Sequence, residues 1–481
     1  MTTEPEPVRA DKRAAQIARC IEADIVRRGW PVGESLGSEA LLQQQFRVSR
    51  SVLREAVRLV EHHQVARMRR GPNGGLLVCA PDAGPATRAV VIYLEYLGTT
   101  LTDLLSARLV LEPLAAELAA DHIDETGIER LRAVLRAEQQ WRPGLPAPPD
   151  EFHLALAEQS KNPVLQLFID VLMRLTKRYA RTSRTDSADQ AVEAAHQMRG
   201  DHADIVAAVT SGDSARAKTL SERHVQGVTS WLQRHRAPAG RAQAGRRARA
   251  GLVAPRGKLA EVLAANIADD IAADGWQVGS VLGTEAALLA RYQVSRAALR
   301  EAVRLLEYHA VARMRRGPGG GLIVAKPQAQ ASIDTIALYL QYRQPSREDL
   351  RSVRDAIEIH NVAEVVARRT LPDVVAFLDP RSWTHIAEGG DVRRAAVDEF
   401  RFHVGLAELA GNAVLDLFLR IIVELFRRHW SSTGQAQLTW TDVTAVEHAH
   451  LRILEAIESG DDSLARYRIR RHLDAAASWW L

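Results

Sequence analysis

The chain has 481 residues, 46% hydrophobic and 25% charged, which is the balance of a globular protein of several domains. That composition excludes disorder and low-complexity filaments for most of its length, and no apolar run approaches the roughly 18 residues a membrane span needs. With 63 Lys and Arg against 59 Asp and Glu the net charge is only +4, so a nucleic-acid surface must come from local clustering of Arg, and 5% aromatics argue against single-strand binding by stacking.

Cys20 and Cys79 are too few for a disulfide scaffold, and MTTEPEPVRADKRAAQ holds no apolar run of the kind a secretory signal has. The cytoplasm is the expected compartment, with no membrane partner. Residues 9–28 place Ala15, Ile17, Ala18, Ile21, Ile25 and Val26 at helical spacing, which predicts an amphipathic helix ended by Gly29-Trp30-Pro31. Ser38 is set to cap a short helix, EALLQQQF, and Ser49 to cap a second that turns Leu53, Val57 and Val60 inward. Arg50, Arg54 and Arg58 then share the opposite face. VARMRR, a Gly-rich turn and LLVCA read as a hairpin, or wing, bearing Arg67, Arg69 and Arg70. Helix, helix, turn, helix, wing is a winged helix-turn-helix. Its second helix suits the major groove, and the same arginine face would otherwise be a solvated or protein-contacting one. From about residue 100 the pattern becomes helix after helix: 101–121, 126–141, 150–160, 163–183, 190–210 and 213–234.

The chain then repeats itself. Residues 48–72 and 294–318 agree at 20 of 25 positions, and Arg108 and Glu112 recur as Arg354 and Glu358. His153 recurs as His403, Asn162 as Asn412, His202 as His450 and His224 as His472. A whole two-domain protein has been duplicated in tandem. The second copy predicts helices at 347–369, 391–411, 413–430, 441–459 and 462–480, with 378–390 loop-like. The expected fold is mainly α: winged domains at 9–82 and 258–327, each with a small β wing, and all-α bundles at 98–234 and 345–481. Residues 235–257 join the copies as a basic linker, either a solvated tether or one that also touches DNA phosphates.

These residues carry a family resemblance. Gly33 to Glu39 followed by Val48 to Glu61, and Gly279 to Glu285 followed by Val294 to Glu307, resemble the winged segment of the GntR family of bacterial transcription regulators. Arg108/Glu112, Phe152-His153, Asn162, His202, Gly212-Asp213 and His224, with their second-copy partners, look like the FCD ligand-sensing domain of the FadR subfamily. The resemblance implies DNA contacts from Ser49, Arg50, Ser51, Arg54, Arg69, Arg70 and Gly74, and from Ser295, Arg296, Arg300, Arg315, Arg316 and Gly320. Ala297 replaces the polar residue at the Ser51 position. Ala40 and Ala286 stand where the family often has Arg, which changes the operator sequence to be expected.

Many FCD domains hold a divalent metal with Asp-x-x-x-His on one helix and two later histidines. The i, i+4 spacing puts both groups on one helix face. The second copy offers Glu399, His403, His450 and His472. The first offers His153, His202 and His224, but Pro149 takes the carboxylate position. Asp150 is then the nearest carboxylate, or the site is histidine and water only. Zinc or nickel suits such donors, one ion per FCD domain. Arg108 and Arg354 match a pocket arginine for an effector carboxylate, and alternatively pair with Glu112 and Glu358 at i, i+4.

The resemblance implies a transcription regulator, not an enzyme. Its affinity for a double-stranded operator, an imperfect palindrome, would be controlled by a small carboxylate effector. The chain would act as an intramolecular pseudo-dimer or as a homodimer. An architectural DNA-bridging protein without effector is the alternative, and a metal-dependent enzyme a more distant one.

Overall fold

A computed structural model describes residues 8–69, 71, 74–140, 151–180, 188–234, 256–315, 317, 319–380, 383, 392–433 and 440–480. The apolar spacing of the first segment folds as α1 (Val8–Arg27), followed by α2 (Glu39–Phe46), α3 (Arg50–His62), β1 (Ala66–Arg69) and β2 (Gly75–Val78). Both expected caps form. Ser38 accepts from the Leu41 amide at 3.3 Å and Ser49 from that of Val52 at 3.4 Å. Between them Arg47 adopts the left-handed conformation that makes the turn tight. Ile21, Ile25, Leu42, Leu53, Val60 and Leu76 form the core. The wing strands are antiparallel, Ala66 opposite Val78. Gly75 is required there, since a Cβ would lie 2.7 Å from the Gly37 carbonyl oxygen.

The second winged domain repeats the plan with α11 (Arg256–Ala273), β3 (Val281–Gly283), α12 (Glu285–Tyr292), α13 (Arg296–Tyr308), β4 (Ala312–Arg315) and β5 (Gly321–Val324). Its wing has three strands, ordered β3-β5-β4, where the sequence suggests two. In the first copy the third strand shrinks to a single bridge between Ser35 and Leu77. Ser35 opposite Leu77 corresponds to Val281 opposite Ile323, so the second copy adds the pairing of Gly283 with Leu322.

The first bundle comprises α5 (Leu101–His122), α6 (Glu125–Gln140), α7 (Phe152–Gln159), α8 (Pro163–Ala180), α9 (Ala188–Thr210) and α10 (Ser214–Arg234). The second comprises α15 (Arg347–Ala367), α16 (Pro372–Leu378), α17 (Val392–Ala410), α18 (Ala413–Thr433), α19 (Trp440–Ser459) and α20 (Asp462–Trp480). Thr100 with Asp103, and Ser346 with Asp349, close reciprocal capping boxes that start α5 and α15. No described helix is long and apolar enough to cross a membrane.

Two helices appear where the sequence reading left unassigned stretches: α4 (Ala83–Tyr96) and α14 (Ala329–Arg343). They are exchanged between the copies. In the compact unit formed by the chain up to Ala89 with Gln330–Gln344, Leu338 and Tyr342 of α14 pack on the first winged core, with Tyr342 5.3 Å from the Trp30 ring. In the other unit, Ile92 and Tyr96 of α4 pack on the second winged core, with Tyr96 5.6 Å from Trp276. Each winged core is therefore completed by a helix that follows the other one in sequence. Leu338→Ala should destabilise the first winged domain by roughly 2–5 kcal/mol. Hydrogen exchange checks this, with protection expected to fall in α3 and hold in α13.

The two bundles pair across a pseudo-two-fold. Phe168 and Phe418 stack with centroids 3.9 Å apart. Asn162 accepts the amides that open α8 and donates to the Asp349 carbonyl at 2.9 Å, while Asn412 donates to that of Asp103 at 3.0 Å. The asparagine nine residues after each Phe-His motif thus caps its own helix and ties down the other copy.

Candidate metal centres and DNA-contacting surface

On α3, Arg50 and Arg54 are exposed and share one partner: their Nε groups lie 3.0 and 2.8 Å from Glu39 Oε1. These two guanidinium groups hold the Glu39 carboxyl below its usual range. Ser49 Oγ is also 2.9 Å from Ser51 Oγ. The second copy is looser. Arg296 Nε is 3.9 Å from Glu285, and Arg300 has no ion-pair partner among the described residues. Ser295 caps α13 through the Ala298 amide. Arg69 and Arg315 end the first strand of each wing hairpin, β1 and β4, and Arg315 is turned back onto the Gly319 carbonyl at 2.7 Å. The Gly74 and Gly320 amides are spent on the Gly71 and Gly317 carbonyls, so a backbone contact to phosphate by these two groups would require those turns to open. Arg70 and Arg316 lie outside the described residues, as do Asp150, Pro149 and most of the basic linker.

Inside the second bundle, α17, α19 and α20 bring Glu399, His403, His450 and His472 together, all buried. His403 Nε2 is 3.1 Å from His472 Nε2 and 3.1 Å from Glu399 Oε1. His450 Nε2 is 3.3 Å from His472 Nε2 and 2.8 Å from Glu399 Oε2, although that oxygen makes no hydrogen bond. In the first bundle α7, α9 and α10 bring His153, His202 and His224 together, also buried, with 3.3 Å between the Nε2 atoms of the last two. A common ion bonded at ~2.0–2.1 Å would set neighbouring donors roughly 2.8–3.4 Å apart for octahedral or tetrahedral angles. The spacings measured above fall in that range, and in each cluster one possible ligand atom from every residue lies within 4.8 Å of the others. Each bundle therefore holds a buried cluster compatible with one metal ion.

Four of the outward-facing ring nitrogens are held by acids from outside the clusters. Glu112 takes His153 Nδ1 at 2.8 Å, Glu138 takes His202 Nδ1 at 3.0 Å and Asp201 takes His224 Nδ1 at 3.2 Å. In the second bundle Glu358 takes His403 Nδ1. Such contacts fix which nitrogen points inward. Phe152 stacks on His202 at 3.7 Å and Phe402 on His450 at 3.8 Å, which explains the Phe of each Phe-His pair. Glu138, Asp201 and the stacking role were not anticipated from sequence. The only signal available was an acid directly preceding His202.

Burial drives His224 and His450 down to about 4, leaving both imidazoles neutral, as ligation requires. Burial also opposes charge on His403, but the flanking Glu358 and Glu399 outweigh it and push it up to about 10. An ion entering there would displace that proton. Arg108 is 2% exposed and bonds Glu112 through Nε and Nη2, so the intrahelical pair is formed. Glu112, despite its burial, is held well below the carboxylate range by Arg108 and His153. Arg354 is shared between Asp355, at 3.3 Å, and Glu358, at 3.6 Å.

Comparison with known proteins decides the family. The signature described as "Bacterial regulatory proteins, gntR family" matches residues 13–73 and 259–321, and that of the FCD domain matches 103–227 and 349–475, more than half of the chain. The chain belongs to the GntR family of bacterial regulatory proteins. Among curated relatives, the Uxu operon regulator of Haemophilus influenzae is 27% identical over 44% of this chain and 79% of its own length. The HTH-type transcriptional regulator LutR of Bacillus subtilis is 27% identical over 42% and 92%, and the Uxu operon transcriptional regulator of Escherichia coli 26% over 46% and 88%. Each relative thus corresponds to about one copy. Among solved structures, Streptococcus agalactiae GntR is 21% identical, covering 45% of this chain and 99% of its own with a TM-score of 0.33. The GntR proteins are DNA-binding transcription regulators rather than enzymes. This one carries the winged and FCD domains twice, with a buried histidine cluster in each FCD domain.

Proposed function

We propose that one chain of this GntR protein reads both halves of an imperfect palindromic operator. A small carboxylate, bound at the FCD metal centres, then sets its affinity. The observation that supports this most is the pair of buried donor clusters, each with imidazole nitrogens at ligation spacing, in two bundles that pair as a dimer would. The fused bundles favour an intramolecular pseudo-dimer over a homodimer of chains.

In this reading Ser49, Arg50, Ser51, Arg54, Arg69, Arg70 and Gly74 contact one half-site. Ser295, Arg296, Arg300, Arg315, Arg316 and Gly320 contact the other. Zinc or nickel is held by Glu399, His403, His450 and His472, and by His153, His202 and His224 with Asp150 completing the set. When bound, the ion supplies open coordination positions for a carboxylate. Arg108 keeps Nη1 donors beyond those given to Glu112 and can add a hydrogen bond to the same ligand; Arg354 does so in the second domain. Ligand binding acts through its different affinity for two arrangements of the winged domains. This reading also places the chain in the FadR subfamily.

The test is a footprint on selected genomic DNA with the complex mass measured, in zinc-loaded buffer, with and without a panel of small acids. One chain on one site, with protection changed by an acid, is the expected result. Protection indifferent to every acid and to chelation would instead favour an architectural protein.

A further inference from the structure

On α15, Arg354, Glu358 and Asn361 stand at i, i+4 and i+7, one strip of the helix. Glu358 holds His403 of the donor cluster, and Asn361 follows it by about 4.5 Å along the axis. Asn361 is 2% exposed, and neither its side-chain oxygen nor its nitrogen has a hydrogen-bond partner among the described residues. Buried polar atoms left unpaired are costly and uncommon. The same strip of α5 reads Arg108, Glu112 and then Ala115, whose methyl is equally buried and asks for nothing. The two FCD domains therefore share the arginine and the carboxylate that orients the histidine, but differ in the next residue along.

We infer that the second FCD domain is built for an acid bearing a hydroxyl near its carboxylate, the hydroxyl meeting the amide of Asn361. The first domain takes an acid with no such group at that place. A hydroxyl donates once and accepts, so a single one satisfies both orphaned atoms of the amide. The short axial step from Glu358 to Asn361 puts that hydroxyl within a few ångströms of a carboxylate held at the cluster. This rests on the proposed acid-sensing role, and adds that the duplicated sensors have diverged in ligand.

The zinc-loaded full chain is titrated calorimetrically with acids matched except for a hydroxyl: malate against succinate, and lactate against propionate. One of two binding events should prefer the hydroxy acid about tenfold or more. Asn361→Ala, which copies the Ala115 already tolerated in the first domain, should erase that preference and leave the other event unchanged. A thermal melt of the variant verifies its fold, and Asn361→Ser, which keeps a hydrogen-bonding group, should retain part of the preference. A hydroxyl preference that survives Asn361→Ala, or no preference at either centre while acids still bind, overturns this inference alone and leaves the amide to water. No binding of any acid at either centre removes the acid-sensing reading and this inference together.

Discussion

Arg50→Ala or Arg296→Ala, each made alone in the full chain, should cost on the order of a hundredfold to ten-thousandfold in operator affinity. Together they should leave only salt-sensitive, sequence-indifferent binding. The expected size comes from linkage more than from either contact. One bidentate arginine is worth about 1–3 kcal/mol, which is at most about a hundredfold. A chain carrying both winged domains also loses the high effective concentration of the second domain once the first no longer holds. The two arginines should not be equal. Arg50 and Arg54 must leave Glu39, whereas Arg296 stands 3.9 Å from Glu285. Exposed pairs of this kind are worth about 0–1 kcal/mol, so the second copy should contribute more by a few-fold at most. Anisotropy titrations at three salt concentrations measure both the loss and the slope. A loss below about fivefold for either single variant would mean that the winged domains bind independently and that two chains are needed per operator.

His472→Ala should reduce bound zinc from two ions per chain to one and remove most of the chelator-sensitive stability of the second FCD domain. His472 Nε2 lies 3.1, 3.3 and 3.2 Å from His403, His450 and Glu399, so like Glu399 it lies against every other member of the cluster. Its loss opens the coordination set and deprives the fully buried Glu399 of one of the imidazoles that hold it ionised. An ion present at a thousandfold its dissociation constant contributes about 4 kcal/mol to the folded state, and that contribution should vanish for this domain. Elemental analysis after dialysis counts the ions, and melting with and without chelator gives the stability. His224→Ala is the matched variant in the first domain. If either variant still retains two ions per chain, the cluster it disrupts is a polar core and not a metal centre.

Much of the site was legible because its chemistry is written in short spacings. Ser38 and Ser49 cap as their positions before apolar helical runs require, and Arg50 and Arg54 share a face by period alone. Glu399 and His403 sit four apart on one helix, so they had to be neighbours once that helix formed. The partners that arrive from elsewhere were not legible. Glu138 reaches His202 across 64 residues and no local pattern marks it, while Glu39 closes a motif whose spacing does not show that it reaches Arg54 across 15. Arg108 shows why: its spacing from Glu112 fits a local pair and a ligand contact equally well, and only packing decided that the pair forms.

What the sequence determined by itself was the duplication, the order of winged and all-α domains, and the histidines that recur in both. These rest on periodicity, capping and direct repetition, all of which act within a few residues or by comparison of like with like. The tertiary structure decided which copy completes which. Both winged cores present an equivalent tryptophan to the helix that covers them, Trp30 to Tyr342 of α14 and Trp276 to Tyr96 of α4. Local pattern alone therefore does not choose between the two cores. The choice, like the pairing of the FCD bundles through Phe168, Phe418, Asn162 and Asn412, is a long-range property of the folded chain.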